Sequence, residues 1–472
     1  MFTDGLRLPW QLDPMDALRR WPADLPLSML HSGRLHPRWA RYSVFASPTA
    51  AYRFDLREGG QGHSRWIGPP GSAPTTHWQH EPFADLEQLR RQRDVIWIGY
   101  LGYDLARCIE DLPEQAACDR DWPAVQMHQC PGWLVYDAAD RVWHAYGTWR
   151  EASHRPDLPA LPEQLGSFHA DRPQSVMSRA DYEAMIDRGR QYIAAGDVFQ
   201  VNLAQRFTAP FQGDRRALYH ALAEASPAWY GAYLELMPDS PDALRRAIAS
   251  TSPELFLEVR PGGQVTTRPI KGTRPITATA DELRTSEKDA AELHMIVDLL
   301  RNDLGRVCRY GSVEVIESRT IETHPTVHHG VSTITGRLEQ GKTLSDLLRA
   351  AMPGGSVTGA PKVRAMQIID ELEPVRRGPY CGSIGYLHAD TARFNIAIRT
   401  LLVETDAQAA GRVDFSVGGG IVADSQPAAE YQETLDKAAA MMRALGQADA
   451  APAAPNATGE TPSDARRIRR AS

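Results

Sequence analysis

Lysine is scarce in this 472-residue chain. Of 52 basic residues only Lys271, Lys288, Lys342, Lys362 and Lys437 are lysines, and the rest are arginines. Arginine keeps its proton inside a protein, whereas a desolvated lysine becomes a nucleophile, a base or a compact point charge. Each lysine is therefore tested against its neighbours, although a surface lysine needs no reason. Cysteine is sparse too. Cys108, Cys118, Cys130, Cys308 and Cys381 are odd in number and form no CxxC pair, which argues against a disulfide framework or a structural zinc site and for reduced thiols. No uninterrupted run of about 18 apolar residues occurs, so no transmembrane helix is expected. The opening Met1-Phe2-Thr3-Asp4-Gly5-Leu6-Arg7 lacks the charged-then-apolar order of a secretory signal, and a cytoplasmic location is the expectation. Neither charge dominates: 52 basic and 59 acidic residues leave a net −7. That gives no electrostatic reason to expect nucleic acid or an anionic membrane as partner, and an anionic substrate requires a locally positive pocket.

What is present is an ordinary globular composition, 42% apolar and 24% charged, with length enough for about two to three domains. Residues 1–150 read as a strand-rich region of short apolar runs, such as Val95–Tyr100 and Val142–Ala145. Residues 151–179, rich in Pro, His and Ser without periodicity, read as a surface linker. From 180 to 446, helical patterns at Asp181–Ala195, Ser286–Val307, Leu344–Ala351, Pro361–Leu372 and Ala428–Leu445 interleave with strand-like runs. Those runs are Val198–Phe207, Tyr230–Leu236, Arg245–Thr251, Leu255–Val259, His329–Gly336, Ser383–His388, Phe394–Glu404 and Val413–Val417. Strands in hairpin order with interleaved helices point to an α+β fold with antiparallel sheets. The Ala/Pro/Thr/Asp-rich residues 447–472 read as a disordered tail.

Three glycine motifs compete for attention. Gly336–Thr343 matches the GxxxxGK[ST] phosphate-loop pattern, but Glu339 would sit in the anion cradle, so a solvated turn before a helix is the better reading. Gly418-Gly419-Gly420 is a weak dinucleotide fingerprint, because Asp424, Ser425 and Pro427 delay the next helix. It is a better place for a carboxylate to meet bare backbone N–H groups. Gly354–Lys362 is a glycine-rich loop opening a helix. The following carboxylates are also suggestive. Glu430, Glu433 and Lys437 share one helical stripe, and Glu292 lies on the apolar face of Met295, Ile296 and Leu299. Carboxylates from two helices are the kind of donor that holds Mg²⁺, while two exposed salt-bridged helices (Lys288–Glu292, Glu433–Lys437) are the plainer alternative.

Taken in order, Gly196–Leu203, Ser252-Pro253-Glu254, Arg268–Pro275, Met295–Leu304, His328-His329, Gly354–Lys362, Ile368–Pro374, Gly418–Ser425 and Glu430–Glu433 resemble the chorismate-utilising enzymes. The likeness covers roughly 180 to 440 and is nearest to the branch that aminates chorismate. It implies two large antiparallel sheets packed face to face with helices outside. The position that separates the branches is Lys271, since anthranilate-forming members typically read Pro-Ile-Ala-Gly-Thr at that point. The resemblance implies that neutral Lys271 attacks C2 of chorismate as the C4 hydroxyl leaves, that ammonia then adds at C4 and expels the lysine, and that 4-amino-4-deoxychorismate results, on the path to p-aminobenzoate and folate. Glu254 is then the acid for the departing hydroxyl. Elementary chemistry agrees: amine nucleophilicity needs lysine rather than arginine, and hydroxide leaves poorly without a proton donor.

By the same resemblance Glu292 and Glu433 are Mg²⁺ ligands, with Glu430 close by and Lys437 assisting. Tyr380 and Arg399 hold the enolpyruvyl carboxylate together with Gly272, Thr273 and the backbone of Gly418, Gly419 and Gly420. Gln200 stands where water-adding relatives carry a lysine, which disfavours attack by water. His329 matches an active-site histidine, though alone it reads as a core residue. Lys362 belongs to a family motif without an assigned role. Some members bind tryptophan near the N-terminus; Ser32, Trp39, Ala40, Arg41 and Tyr42 align with that pocket, but the bulk of Trp229 in Trp229-Tyr230-Gly231 argues against its being filled. No Gly-x-Cys-x-Gly elbow for glutamine hydrolysis is present, so ammonia is expected from solution or from a separate glutaminase subunit. The rival expectations are an anthranilate-forming enzyme and a non-catalytic amino-acid-binding subunit.

Overall fold

The structure, a computed structural model, describes residues 4–69, 80–323 and 327–447. Nearly all of the expected tail, from residue 448 on, lies outside the described residues. Residues two apart along a strand share a face, and here those faces meet. Val44 and Ala46, Ala232 and Leu234, Ile248 and Leu402 from one sheet bury against Ile96, Ile98 and Tyr100, Ile384 and Tyr386 from the other. Each fully buried aliphatic side chain in this layer contributes about 1.5–3 kcal/mol.

Among the described residues one sheet has 13 strands and the other 11, and every ladder between named strands is antiparallel. Helices cover the outer faces. Arg215–Ala225 and Pro427–Ala444 supply Leu218, Leu222, Ala438 and Met441 to one outer core. Glu287–Gly305, Leu344–Ala351 and Lys362–Leu372 supply Leu293, Ile296, Leu347 and Ile369 to the other. The expected face-to-face α+β architecture is what the chain adopts.

Four sequence expectations are revised. The N-terminal strand-rich region does not stand apart: Ser28–His31 pairs with Tyr230–Glu235 in the first sheet, and Ile96–Leu101 pairs with Ser383–His388 in the second. The stretch read as a linker ends in Phe168–Ala170 and Gln174–Ser175, which edge the long strand Gln200–Gly213. Phe394–Glu404 is two strands, because the chain leaves one sheet after Asn395 and enters the other at Thr400. Arg399, at φ +51°, sits at that crossing. Finally, Gly418–Gly420, expected as bare backbone open to a carboxylate ahead of the next helix, belongs to a ladder. It continues the strand Ala410–Ile421, paired with Ala204, Leu203 and Asn202. The phosphate-loop lookalike is a turn, with Gly341 at φ +87° and Thr343 capping the next helix through a reciprocal bond with Asp346.

Candidate active site

The catalytic candidates converge because four elements end at one place: the strand Ala410–Ile421, the strand Ile270–Pro275, and the helices Glu287–Gly305 and Pro427–Ala444. Ser286 accepts a hydrogen bond from the Asp289 amide and so starts the first helix. Pro427 starts the second in its first turn. In that second helix Glu430, Thr434, Ala438 and Met441 are buried at helical spacing, which leaves Glu433 and Lys437 on the adjoining stripe. Gly272, at φ +80°, bends the lysine strand against the first helix. A Cβ at that position would lie 2.7 Å from Leu283 and 3.0 Å from Asp289.

The three glycines are the floor. A Cβ on Gly420 would stand 3.0 Å from Lys271 Nζ and 2.8 Å from Gln200 Nε2, so the amine reaches the bare strand backbone. One on Gly419 would lie 3.1 Å from Glu430 Oε2, 3.7 Å from Glu433 Oε1 and 3.9 Å from Lys437 Nζ. Lys437 also donates to the Gly418 carbonyl at 2.8 Å and pairs with Glu433 at 2.7 Å. Burial holds the Lys271 amine below the ordinary lysine range; Glu292 opposes this, Lys437 adds to it, and Glu254 and Glu433 oppose it. Gln200 is fully buried with neither amide atom hydrogen-bonded. A buried, unsatisfied amide is costly, and here it lies with the Lys271 amine beside Gly420.

Glu254 faces Lys271 from the turn between Arg245–Ser252 and Leu255–Arg260. Its carboxyl group is buried and accepts from Ser356 Oγ at 2.6 Å. Burial pushes it up from 4.5 to about 7, against the Ser356 bond, the Lys271 charge and the Ile270 amide. The acid and the amine are thus both biased toward their neutral forms by the same loss of water. His329 bonds Thr273 Oγ1 through Nδ1 at 2.9 Å across the ladder. Tyr380 is buried beside the crossing segment, where the Cys381 amide bonds the Ala397 carbonyl. Arg399 is half-buried, and among the described residues no carboxylate pairs with it. An arginine that is short of a partner suits a substrate carboxylate.

The acidic residues form a matched set. Burial raises Glu292 and Glu430, whereas the Lys437 pair, with Lys271 and Lys288, holds Glu433 down despite its own burial. Among the described residues no three His, Cys, Asp or Glu side chains close into a ready-made cage. Mg²⁺ does not need one; it takes one or two carboxylates and keeps several waters. Glu430 and Glu433 converging over Gly419, with Glu292 close enough to feel Glu433's charge, fit such an ion. Glu433 keeps 53% and Lys437 43% of its side chain open, so this end of the cleft is wet.

Of the remaining lysines, Lys288 pairs with Asp424 at 3.4 Å rather than with Glu292, and Lys342 is exposed in its turn. Lys362 is pinned to Asp303 at 2.6 Å and to the Ala351 carbonyl at 3.0 Å. Ser356, Asp303 and Ser425, which bonds Glu430, are partners the sequence reading missed. All three lie within the motifs that carry the resemblance, Ser356 in the glycine-rich loop, Asp303 in Met295–Leu304 and Ser425 in Gly418–Ser425, but nothing local marked them as partners.

The residues aligned with the tryptophan pocket divide. Ser32, Tyr42, Trp229, Tyr230 and Gly231 line a separate cavity with His31, Arg393 and Asn395. Trp39 and Ala40 instead pack in a cluster with Trp229, Tyr230 and Leu255. Arg41 turns away to Asp137. Trp229 packs 4.7 Å from the His36 ring, and the Arg268 guanidinium lies 4.2 Å from Trp39 and 5.9 Å from Trp229.

A sandwich of this topology brings together, beside the bare backbone of Gly420, an amine and an acid that burial biases toward their neutral forms. The family model described as chorismate binding enzyme matches residues 45–443, and the chain belongs to that family. It is a chorismate-utilising enzyme. It is 45% identical over 368 residues to aminodeoxychorismate synthase component 1 of Escherichia coli (strain K12), covering 74% of this chain and 76% of that protein. With the protein of the same name from Salmonella typhimurium it shares 43% over 462 residues, 92% of this chain and 96% of that one. Among solved structures, anthranilate synthase component I from Streptococcus pneumoniae TIGR4 superposes with a TM-score of 0.68 at 29% identity, over 94% of this chain and 100% of the other.

Proposed function

We propose that the chain aminates chorismate at C4 through a covalent bond to Lys271. The observation that carries this reading is the Lys271 amine, desolvated below its ordinary range, reaching the backbone of Gly420 with the neutral-leaning Glu254 beside it. The atoms balance as follows. Neutral Lys271 forms a bond to C2, the ring double bonds shift, and the C4–O bond breaks as Glu254 gives its proton and water departs. Ammonia then bonds to C4, the double bonds shift back, and the C2–N bond breaks with its electrons returning to Lys271. The new ammonium at C4 gives one proton to the Glu254 carboxylate, which restores the acid. The sum is chorismate plus ammonia to 4-amino-4-deoxychorismate plus water.

Arg399 and Tyr380 hold the enolpyruvyl carboxylate in this reading, Gln200 satisfies its amide on the substrate, and Thr273 with His329 orients the wall. Glu292 and Glu433 would hold Mg²⁺ with Glu430 beside them, and the ion would neutralise the ring carboxylate. The relatives' designation as component 1 supports a second component, which we assign as a separate glutaminase that supplies ammonia. Among the described residues no helix is long and apolar enough to cross a membrane. The test is incubation of the chain with chorismate, ammonium and Mg²⁺ followed by product identification. Aminodeoxychorismate supports the reading; anthranilate and pyruvate without it overturn the reading.

A further inference from the structure

We infer that Ser356 is a positioning residue for the proton donor: its hydroxyl holds Oε1 of Glu254, so that the proton delivered to the leaving hydroxyl is carried on Oε2. The inference rests on the reading of Glu254 as the acid. A serine hydroxyl has one proton to donate, and Ser356 donates it to Oε1 at 2.6 Å from a site that is itself buried. An oxygen already accepting that bond is the poorer place for the acid's own proton, which leaves the other oxygen to present it.

The surroundings show why the hydroxyl stays there. Gly354 and Gly355 precede it, and a Cβ on either would come within 2.6 Å of Ile396 or Leu299. Bare backbone lets this loop press between the crossing segment and the helix Glu287–Gly305. Thr358 Oγ1 bonds the Gly354 carbonyl at 3.1 Å, and Arg377 Nη1 bonds the Val357 carbonyl at 2.8 Å. Lys362 closes the loop from its far end, bonding the Ala351 carbonyl at the near end and Asp303 on the helix. That staple gives Lys362 a role outside the chemistry: it fixes the loop that delivers Ser356. The groups facing the Glu254 carboxyl are the Lys271 amine, the Cys381 thiol, the Ser356 hydroxyl and the Ile270 amide.

The test compares Ser356→Ala and Ser356→Thr with the unmodified chain, using chorismate, ammonium and Mg²⁺ across pH. Rates are taken as the ratio of variant to wild type at each pH, which cancels the change in free ammonia. Removing a hydrogen bond to a carboxylate raises its pKa, so the alkaline fall in activity of Ser356→Ala should move up by roughly one to two pH units. Its maximal rate should drop about tenfold, less than the roughly 10²-fold or more that losing the whole proton donor would cost, and Ser356→Thr should restore both. Ser356→Cys, which keeps the volume with a weaker donor, reads the same limb if the alanine variant does not fold. A lower rate with the alkaline limb unmoved overturns the inference and leaves Ser356 a packing residue. Glu254→Gln distinguishes the deeper failure: if it retains wild-type rate, the acid assignment itself falls and the inference with it.

Discussion

Adding one methyl group in turn to Gly418, Gly419 and Gly420 should separate folding, metal binding and chemistry along three consecutive residues. None of the three has a positive φ, so alanine meets no backbone strain and only the surroundings decide the outcome. At Gly420 the new carbon would stand 2.8 Å from Gln200 Nε2 and 3.0 Å from Lys271 Nζ. Ordinary contact is about 3.5–4.0 Å, so both flexible ends must retreat by several tenths of an ångström or more. They can do so cheaply, and the melting temperature should barely change. The reacting amine is displaced, however, and misplacement by about 1 Å costs on the order of 10²-fold in rate. At Gly418 the obstacle is the Leu203 carbonyl oxygen at 2.5 Å, which is the partner strand's backbone. That variant should lose about 1–3 kcal/mol of stability, the usual cost of overpacking. At Gly419 the methyl meets Glu430 Oε2 at 3.1 Å, so the Mg²⁺ concentration for half-maximal rate should rise with stability nearly unchanged. Product formation from ammonium and chorismate, Mg²⁺ titration and thermal unfolding read the series. Full activity in Gly420→Ala would refute the placement of the amine over that glycine.

Lys271→Arg keeps a charge and removes the nucleophile, so aminodeoxychorismate formation should vanish and no adduct at residue 271 should be seen by mass spectrometry in enzyme stalled with chorismate; measurable amination would count against the covalent role. Mg²⁺ should raise the thermal midpoint of the unmodified chain by mass action on the folded state, and Glu292→Gln or Glu433→Gln should abolish that shift while the apo midpoint stays or rises; an undiminished shift would move the ion elsewhere. Glu254 couples function to stability. Its pKa is raised from 4.5 to about 7, so its contribution is complete below about 4.5 and lost as pH rises through about 7. The difference is on the order of 3 kcal/mol, and Glu254→Gln should therefore be more resistant than wild type to denaturant at pH 8 but not at pH 4. Breaking the buried Lys362–Asp303 pair by Lys362→Met should cost about 3–5 kcal/mol, with Asp303→Leu in the same chain recovering part of it; additive losses would show that the pair is not coupled.

Which residues the fold gathers at the candidate site was legible largely because they lie in short motifs that resemble a known family. The scarcity of lysine singled out Lys271 for scrutiny, the family resemblance supplied its role and that of Glu254, and helical spacing alone put Glu430, Glu433 and Lys437 on one side of a helix. The fold class followed from hairpin order. What escaped were facts that depend on which distant segments touch. The triglycine looked like a loop because glycine runs usually mark turns; its membership of a long strand depends on pairing with Leu203 and Asn202, more than 200 residues earlier. The split of Phe394–Glu404 was hidden because the run is mostly apolar from end to end, and the change of sheet shows only in which distant strands its two halves pair with.

That crossing shows why a sandwich of this kind suits the reaction. Ile396 bonds the Glu254 carbonyl, Cys381 bonds the Ala397 carbonyl, and Thr251 bonds the Arg399 carbonyl, so the acid and the arginine hang from one segment that belongs to neither sheet for its whole length. Lys271 comes from the edge of the second sheet and the glycine floor from the first. The amine, the glycine floor and the crossing segment that braces both the acid and the arginine are therefore three different supports. A lysine beside a glutamate on one element would settle into an ion pair and stay charged. Held on separate elements in a desolvated cleft, each is biased toward its neutral form, the condition that the proposed attack by one and protonation by the other would require together.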